Sequence, residues 1–274
     1  MRTVTNIYII REGEFRMRAQ SKFKQFKRKY RKFFPFPTRN KLRTLFPSKY
    51  QRNIVYLLNQ HKITQVLDIG ANTGQYATKL IGSGFKGDVI SFEPIPQTHE
   101  ELSKVASKYP NWTIAPPMAL GDVKLSKEMY LYDSSALASS LPTREEAQDS
   151  NNAYKITGKI IVEQTTLDDA FTTHADASKR TVIKMDVQGT EMDVLAGAIN
   201  ILPSIHGIHI ELSLQPLYEG ETYYLDMLQF LREHGFAVHF LSPISTKFRY
   251  GSDTQMDALL FRDPELLSKF KSRL

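Results

Sequence analysis

Val66-Leu67-Asp68-Ile69-Gly70-Ala71-Asn72-Thr73-Gly74-Gln75-Tyr76 is the stretch on which the reading of the fold turns. A short apolar run carries an acidic residue near its end, two glycines follow four apart, and a helical pattern then begins. That order spells a strand, a tight turn and a helix N-terminus, where α/β folds hold the polar part of a nucleotide. Glycine lets backbone approach a ligand closely because no Cβ stands in the way. The spacing of Gly70 and Gly74 misses G-x-G-x-x-G, so the pyrophosphate fingerprint is absent. Asp68 points the same way. A carboxylate at the strand tip repels a pyrophosphate and suits a cationic or hydrogen-bond-donating ligand.

The second half of the signal lies about 20 residues on, where nucleoside-binding folds place a ribose-binding acid. Asp88-Val89-Ile90-Ser91-Phe92-Glu93-Pro94 reads as a second strand with Glu93 at its carboxyl end. A carboxylate there can accept hydrogen bonds from both ribose hydroxyls. Asp68 and Glu93 together suit a nucleoside that carries an amino group, such as S-adenosylmethionine.

The rest of the chain alternates strand and helix. Ser48 to Gln60 reads as a helix leading into the first strand, Gln75 to Ile81 as the first crossover helix and Pro96 to Tyr109 as the next. Trp112 to Ala115 is a short third strand, followed by the loop Ala119-Leu120-Gly121-Asp122. Glu128 to Tyr132 and Lys159 to Gln164 read as strands flanking a polar segment, Asp133 to Asn152. A loop of that length inside a compact domain is either functional or mobile. It reads here as a substrate-covering insertion that includes Ser139-Ser140-Leu141, or equally as a flexible surface loop.

Two later strands break the rule that a buried parallel strand is apolar on both faces. In Thr181 to Val187, Val182, Lys184 and Asp186 share one face by alternation. In Gly207 to Leu214, His209, Glu211 and Ser213 do so. A buried lysine or carboxylate must be paired or used. Asp186 falls at the carboxyl end of its strand, the side on which open α/β sheets bind ligands; Glu211 must face a metal, a substrate hydroxyl or a buried lysine such as Lys184. His206 and His209 stand three apart on a strand, which turns them to opposite faces and argues against a metal pair. Phe236 to Leu241 and Ala258 to Arg262 supply the last two strands.

Composition bounds the rest. The chain has 274 residues and 41% apolar content, enough for a globular core. It has no cysteine, which removes disulfides and thiolate chemistry and suits a cytoplasmic setting. No apolar run is long enough for a membrane span. The net charge of +7 is unevenly spread: Met1 to Arg52 holds sixteen Lys and Arg against Glu12 and Glu14, a balance of +14, so the remainder carries −7. Between Arg16 and Phe34, Phe23, Phe26, Tyr30 and Phe33 or Phe34 recur at helical spacing among basic residues. Three uses compete for this stripe. It could pack on the domain or on a second subunit of a homo-oligomer, lie peripherally on an anionic membrane surface, or bind nucleic acid, for which no accompanying motif exists. Phe34-Pro35-Phe36-Pro37 then marks a linker. The expected division is a basic extension and linker over 1–47 and a catalytic domain over 48–274.

VLDIGANTGQYA, SFEPIP, ALGD (Ala119 to Asp122), IKMDVQGTEMDVLAGA (Ile183 to Ala198), IELSLQPLYEGE (Ile210 to Glu221) and MDALLF (Met256 to Phe261) resemble, in order, the blocks of the FkbM family of S-adenosylmethionine-dependent methyltransferases. The resemblance runs from about Gln65 to Asp263. It departs at Gln188, where many members carry Glu. It implies a Rossmann-like, doubly wound sheet of seven mostly parallel strands with an antiparallel last strand. It also implies O-methylation of a hydroxyl on a sugar, a lipid-linked glycan or a secondary metabolite. The implied cofactor contacts are Asp68 (methionyl amine), Gly70, Ala71, Asn72, Thr73, Gly74, Glu93 (ribose), Pro94, Gly121 and Asp122 (adenine). Asp186, Glu211 and Lys184 are the catalytic candidates. Asp186 and Glu211 are also candidate ligands for Mg²⁺, since hard cations take carboxylates. An NAD-dependent oxidoreductase and a non-catalytic nucleoside-binding module remain as alternatives; the first lacks its pyrophosphate glycines, and the second has no need of acids at 186 and 211.

Overall fold

The structure, a computed structural model, describes residues 47–150, 152–244 and 254–269. The basic aromatic stripe and the proline linker fall outside these residues. The described elements belong to one compact unit, Ser48–Leu274.

In chain order the elements are α1 (Lys49–Gln60), β1 (Gln65–Ile69), α2 (Gln75–Gly82), β2 (Asp88–Phe92), α3 (Pro96–Ala106), β3 (Trp112–Ile114), β4 (Ala119–Gly121), β5 (Leu125–Leu131), α4 (Glu145–Ser150), β6 (Gly158–Thr166), α5 (Leu167–His174), β7 (Thr181–Met185), α6 (Glu191–Ala196), β8 (Gly207–Ser213), α7 (Tyr224–Glu233), β9 (Phe236–Ile244), β10 (Gln255–Arg262) and α8 (Pro264–Ser268). Seven strands form one sheet in the order β3-β2-β1-β7-β8-β10-β9, parallel except for β10, which runs antiparallel to both β8 and β9. This is the doubly wound, mostly parallel sheet that the sequence implies.

Alternation along the strands divides the core in two. Val66, Val89 and Val182 point to the face covered by α1, α2 and α3, where Ile54, Leu58, Ala77, Leu80 and Leu102 close the layer. Leu67, Ile69, Ile183, Met185 and Ile210 point to the other face, against Leu167 and Phe171 of α5, Val194 and Leu195 of α6, and Leu231 of α7. α1 starts cleanly because Ser48 caps it, its hydroxyl accepting from Gln51 N while the Gln51 side chain returns a bond to Ser48 N.

A second sheet was not foreseen. β4, β6 and β5 form a three-stranded sheet, with β6 parallel to β4 and antiparallel to β5. Ala119–Gly121 is therefore a strand and not a loop. A strand of three residues shows no period-two pattern to read. The segment after β5 is built from a 3₁₀ turn at Ser135–Leu137, α4 and a second 3₁₀ turn at Asn152–Tyr154. Tyr132, Ala147, Tyr154, Leu217 and Tyr218 make a small core of their own beneath it. The described part of the insertion is thus a packed cover.

Candidate active site

Strand register lays a polar row across the α1–α2 face of the sheet. Asp68 on β1 stands beside Ser91 on β2 and Lys184 on β7, and Lys184 stands beside His209 on β8. Lys184 Nζ is 3.2 Å from Asp68 Oδ1, 3.7 Å from Asp186 Oδ2 and 3.4 Å from the Gly70 carbonyl, to which it donates. Ser91 Oγ donates to Asp68 Oδ2 at 3.2 Å. Burial on its own lowers a lysine, but the Asp68 and Asp186 carboxylates outweigh it and hold Lys184 above its ordinary value. The row is a neutralised strip through the middle of an apolar layer, and it anchors the glycine turn.

The turn itself permits only glycine at position 70. Gly70 has φ +72°, and a Cβ there would lie 2.0 Å from the Asp186 carbonyl. The tips of β1 and β7 therefore abut, and a single cavity of about 440 Å³ opens over them. Gly70, Ala71, Asn72, Glu93 and Pro94 line it together with Lys184, Asp186 and Glu211.

Glu93 follows directly on β2 and is buried. Its carboxylate accepts from Asn72 N at 2.9 Å and from Ile95 N at 3.0 Å. Burial lifts its carboxyl above the ordinary glutamate value, and these two backbone bonds oppose the rise. Asn72 is itself left-handed, φ 49°. Its side chain accepts from Thr73 N at 2.7 Å and donates to Ser135 Oγ at 3.0 Å, which ties the glycine turn to the insertion.

Asp186 sits one residue beyond β7, with its side chain 40% exposed. Gln188 Nε2 donates to Asp186 Oδ1 at 2.6 Å, Tyr218 Oη donates to Gln188 Oε1 at 2.8 Å, and Ser139 Oγ donates to the Gln188 carbonyl at 2.6 Å. Gln188 is left-handed, φ 57°. Its amide uses both ends, one on Asp186 and one on the cover. Glu211 takes a short hydrogen bond from Gln255 Nε2. Burial, then the charges of Asp186, Glu191 and Asp257, push the Glu211 carboxyl well above the ordinary range, against a smaller pull from Lys184.

Four further residues on the cavity wall escaped the sequence reading as a set: Tyr50, Tyr76, His209 and Asp257. Tyr76 Oη lies 3.0 Å from His209 Nδ1, His209 Nε2 lies 3.0 Å from Tyr50 Oη, and Tyr50 Oη donates to Asp257 Oδ2 at 2.8 Å. Burial, then the Lys184 charge, lower His209 to about 3 and keep it neutral.

Some expected contacts stand elsewhere. Asp68 is fully buried and engaged with Lys184 and Ser91, beneath the cavity and off its wall. Gly74, φ +86°, is packed against Trp112 and Leu102 and opens α2. Thr73, Gly121 and Asp122 are likewise absent from the lining; Asp122 is exposed, while Met118, Ala119, Leu120 and Gln164 take the wall next to it. Among the described residues no group of three or more His, Asp or Glu is arranged to hold a metal ion. Asp186 and Glu211 each spend an oxygen on a glutamine amide, so the Mg²⁺ expectation finds no donor set to support it.

The sheet order and the cavity at the carboxyl ends of β1, β2 and β7 are those of a doubly wound α/β fold of the nucleotide-binding kind. Residues 68–238 match the family model described as the methyltransferase FkbM domain, and the chain belongs to that family. It is similar to the hexuronic acid methyltransferase AglP of Haloferax volcanii, 27% identical over 157 residues that span 57% of this chain and 59% of AglP. This chain thus spans under two thirds of that relative's length. It is also similar to the 2-O-methyltransferase NoeI of Sinorhizobium fredii, 31% identical over 187 residues, 63% of this chain and 72% of NoeI. Among solved structures it is similar to magnesium protoporphyrin IX methyltransferase from Synechocystis PCC 6803 with bound SAM, at 14% identity and TM-score 0.42, covering 88% of this chain and 91% of that one. No helix among the described residues is long and apolar enough to cross a membrane.

Proposed function

We propose that this protein is an S-adenosylmethionine-dependent O-methyltransferase acting on a hydroxyl group of a sugar or sugar-bearing substrate. The observation that carries this reading is that Glu93 and the glycine turn share one cavity wall with the polar side chains Lys184, Asp186 and Glu211. Glu93 and the turn would serve the nucleoside, and Lys184, Asp186 and Glu211 would face a polyhydroxylated acceptor. S-adenosylmethionine, when bound, supplies a sulfonium methyl group for in-line displacement. What remains to the protein is alignment of the acceptor oxygen and removal of its proton.

Each residue then has a task at a stated atom. Glu93 would accept from the ribose hydroxyls with the lone pairs that Asn72 N and Ile95 N leave free. Asp186, fixed by the Gln188 amide, would accept a hydrogen bond from the acceptor hydroxyl. Lys184 would donate to a neighbouring acceptor oxygen, and Glu211, pushed toward its protonated form by burial, would donate to another. Ser135, Ala136, Ala138 and Ser140 of the insertion would cover the acceptor and exclude water. The two relatives support the substrate class, since one is named for a hexuronic acid and the other for 2-O-methylation.

Incubation with deuteromethyl-labelled cofactor and a total glycan and glycolipid extract tests the reading. Label should appear in a saccharide product. Label that appears only in protein, nucleic acid or sugar-free lipid would overturn it.

A further inference from the structure

The Tyr76–His209–Tyr50–Asp257 chain has a direction, and the hydrogen bonds alone fix it. Tyr50 Oη gives its proton to Asp257 Oδ2, so toward His209 it can only accept. His209 must then carry its proton on Nε2. Its Nδ1 is therefore bare, and it accepts from Tyr76 Oη. Every proton in the chain points toward Asp257, and the remaining lone pairs of Tyr76 Oη are the open end. The first and last members both line the cavity. Tyr50 and Asp257 also lie outside residues 68–238, the part of the chain that the family model matches.

We propose that Tyr76, His209 and Tyr50 form a proton path that carries the acceptor hydroxyl's proton to the Asp257 carboxylate. The proposal rests on the O-methylation reading and adds the proton's destination to it. As the acceptor oxygen bonds to the methyl carbon, the carbon–sulfur pair returns to sulfur and the hydroxyl proton passes to Tyr76 Oη. The Tyr76 proton moves to His209 Nδ1, the Nε2 proton moves to Tyr50 Oη, and the Tyr50 proton moves to Asp257. Both tyrosines end neutral, His209 ends as its other tautomer, and Asp257 ends protonated. One sulfonium charge and one carboxylate charge vanish together.

Such a path never needs an imidazolium, which agrees with the surroundings of His209. The Lys184 ammonium stands beside it on β7 and opposes a second positive charge. The other charged groups nearby are Asp68 on β1, Asp186 beyond β7, Glu211 on β8 and Lys79 on α2; Lys79 bears on Asp257. Burial holds Asp257 above the ordinary aspartate value, the direction that suits a proton acceptor, while the Tyr50 bond opposes it. Asp186 is tied to Gln188 and lies 3.7 Å from Lys184 Nζ, whereas Asp257 takes the Tyr50 proton, so the geometry divides the labour. Asp186 aligns the acceptor, and Asp257 receives the proton.

Nitrogen-15 NMR of the full-length protein reads the direction, with His209→Gln identifying the resonances by their loss. His209 should be neutral and protonated on Nε2 at pH 7. Asp257→Leu leaves the Tyr50 hydroxyl with no acceptor on that side, so that it can turn and donate to His209. The chain should then reverse and the proton should move to Nδ1. A second measurement uses labelled cofactor and the total glycan extract. Asp257→Asn and Tyr76→Phe should each lower incorporation at least tenfold while S-adenosylhomocysteine affinity by calorimetry stays within twofold. A wild-type His209 protonated on Nδ1 or on both nitrogens, or one unmoved by Asp257→Leu, overturns the path. So does unchanged incorporation in both variants. Absence of incorporation by the wild type counts against the methyl-transfer reading instead, and the NMR result still decides the path.

Discussion

Lys184 and Asp68 meet 3.2 Å apart on adjacent strands, both buried, directly under the glycine turn that lines the cavity. The pair costs desolvation that the surrounding apolar layer cannot return. It persists where the tips of β1 and β7 must be held at one spacing for Gly70 to touch the Asp186 carbonyl. Removing one partner leaves the other as an uncompensated buried charge. Lys184→Met should therefore lower stability by about 3–5 kcal/mol. Adding Asp68→Asn to it should recover a substantial part of that loss. Urea unfolding of the four proteins of the cycle measures the coupling, and additive losses would mean that the two side chains do not act as a pair.

Glu93 joins the cavity wall to the glycine turn. Glu93→Ala should weaken S-adenosylhomocysteine binding by about 1.5–3 kcal/mol through lost charge-assisted hydrogen bonds. Part of that loss comes from orphaning Asn72 N and Ile95 N, so Glu93→Gln should fall between the two. Calorimetry showing unaltered affinity in the alanine variant would take Glu93 out of the site.

Glu191 gives the unliganded domain a pH-dependent stability. Its carboxylate accepts from Val187 N at 3.0 Å and Gly189 N at 3.1 Å, bracing the loop that carries Asp186. Burial nevertheless lifts the carboxyl from 4.5 to about 7, against the bonds from its own backbone and from Val187 N. A folded value above the unfolded one means that the folded state binds the proton more tightly, so stability falls as pH rises. Below about 4.5 both states are protonated and nothing is lost. The loss accumulates between 4.5 and 7 and is constant above, on the order of 3 kcal/mol. Glu93, Glu211 and Asp257 are raised in the same direction. Urea midpoints should decline across that window, and Glu191→Gln should start lower and decline less. An identical slope in wild type and variant would remove Glu191 as the cause.

Gln188 holds Asp186 and the insertion at once, through the Asp186, Tyr218 and Ser139 bonds. Asp186→Asn should keep the fold and cofactor affinity and lose about 10²-fold in turnover, by misaligning the acceptor. Gln188→Glu places a second carboxyl against Asp186, and two carboxyls at hydrogen-bond distance cannot both ionise cheaply. Its activity should need a higher pH than the wild type. A pH–rate profile that does not move would show that Asp186 works independently of position 188.

Much of this architecture was legible in the chain. The strand, turn and helix at 66–76, Glu93 at the β2 tip and the antiparallel last strand follow from period, glycine spacing and family-like blocks. The polar positions 184, 186 and 211 stood out because parallel strands are apolar on both faces. Register was not legible. Sequence shows a lysine in need of a partner, but only strand pairing shows that Asp68 stands opposite and takes the charge. That pairing also withdraws Asp68 from the cavity wall, where a motif reading places it. The proton path was hidden for the same reason, since His209 meets Tyr76 across 133 positions and Tyr50 across 159. Asp122 looked like an adenine contact because its block does; β4 ends at Gly121 and leaves Asp122 exposed.

The central claim is methyl transfer to a saccharide hydroxyl, and the bond formed is its most direct test. A product about 14 Da heavier than its acceptor, by the replacement of hydrogen with methyl, should be isolated from the glycan extract and treated with mild alkali. A methyl ether survives that treatment and a methyl ester does not. The account predicts an alkali-stable methyl on a ring or side-chain oxygen, formed by the wild type and lost in Asp186→Asn. An alkali-labile methyl on a carboxyl group, or a methyl on nitrogen or carbon, would contradict it.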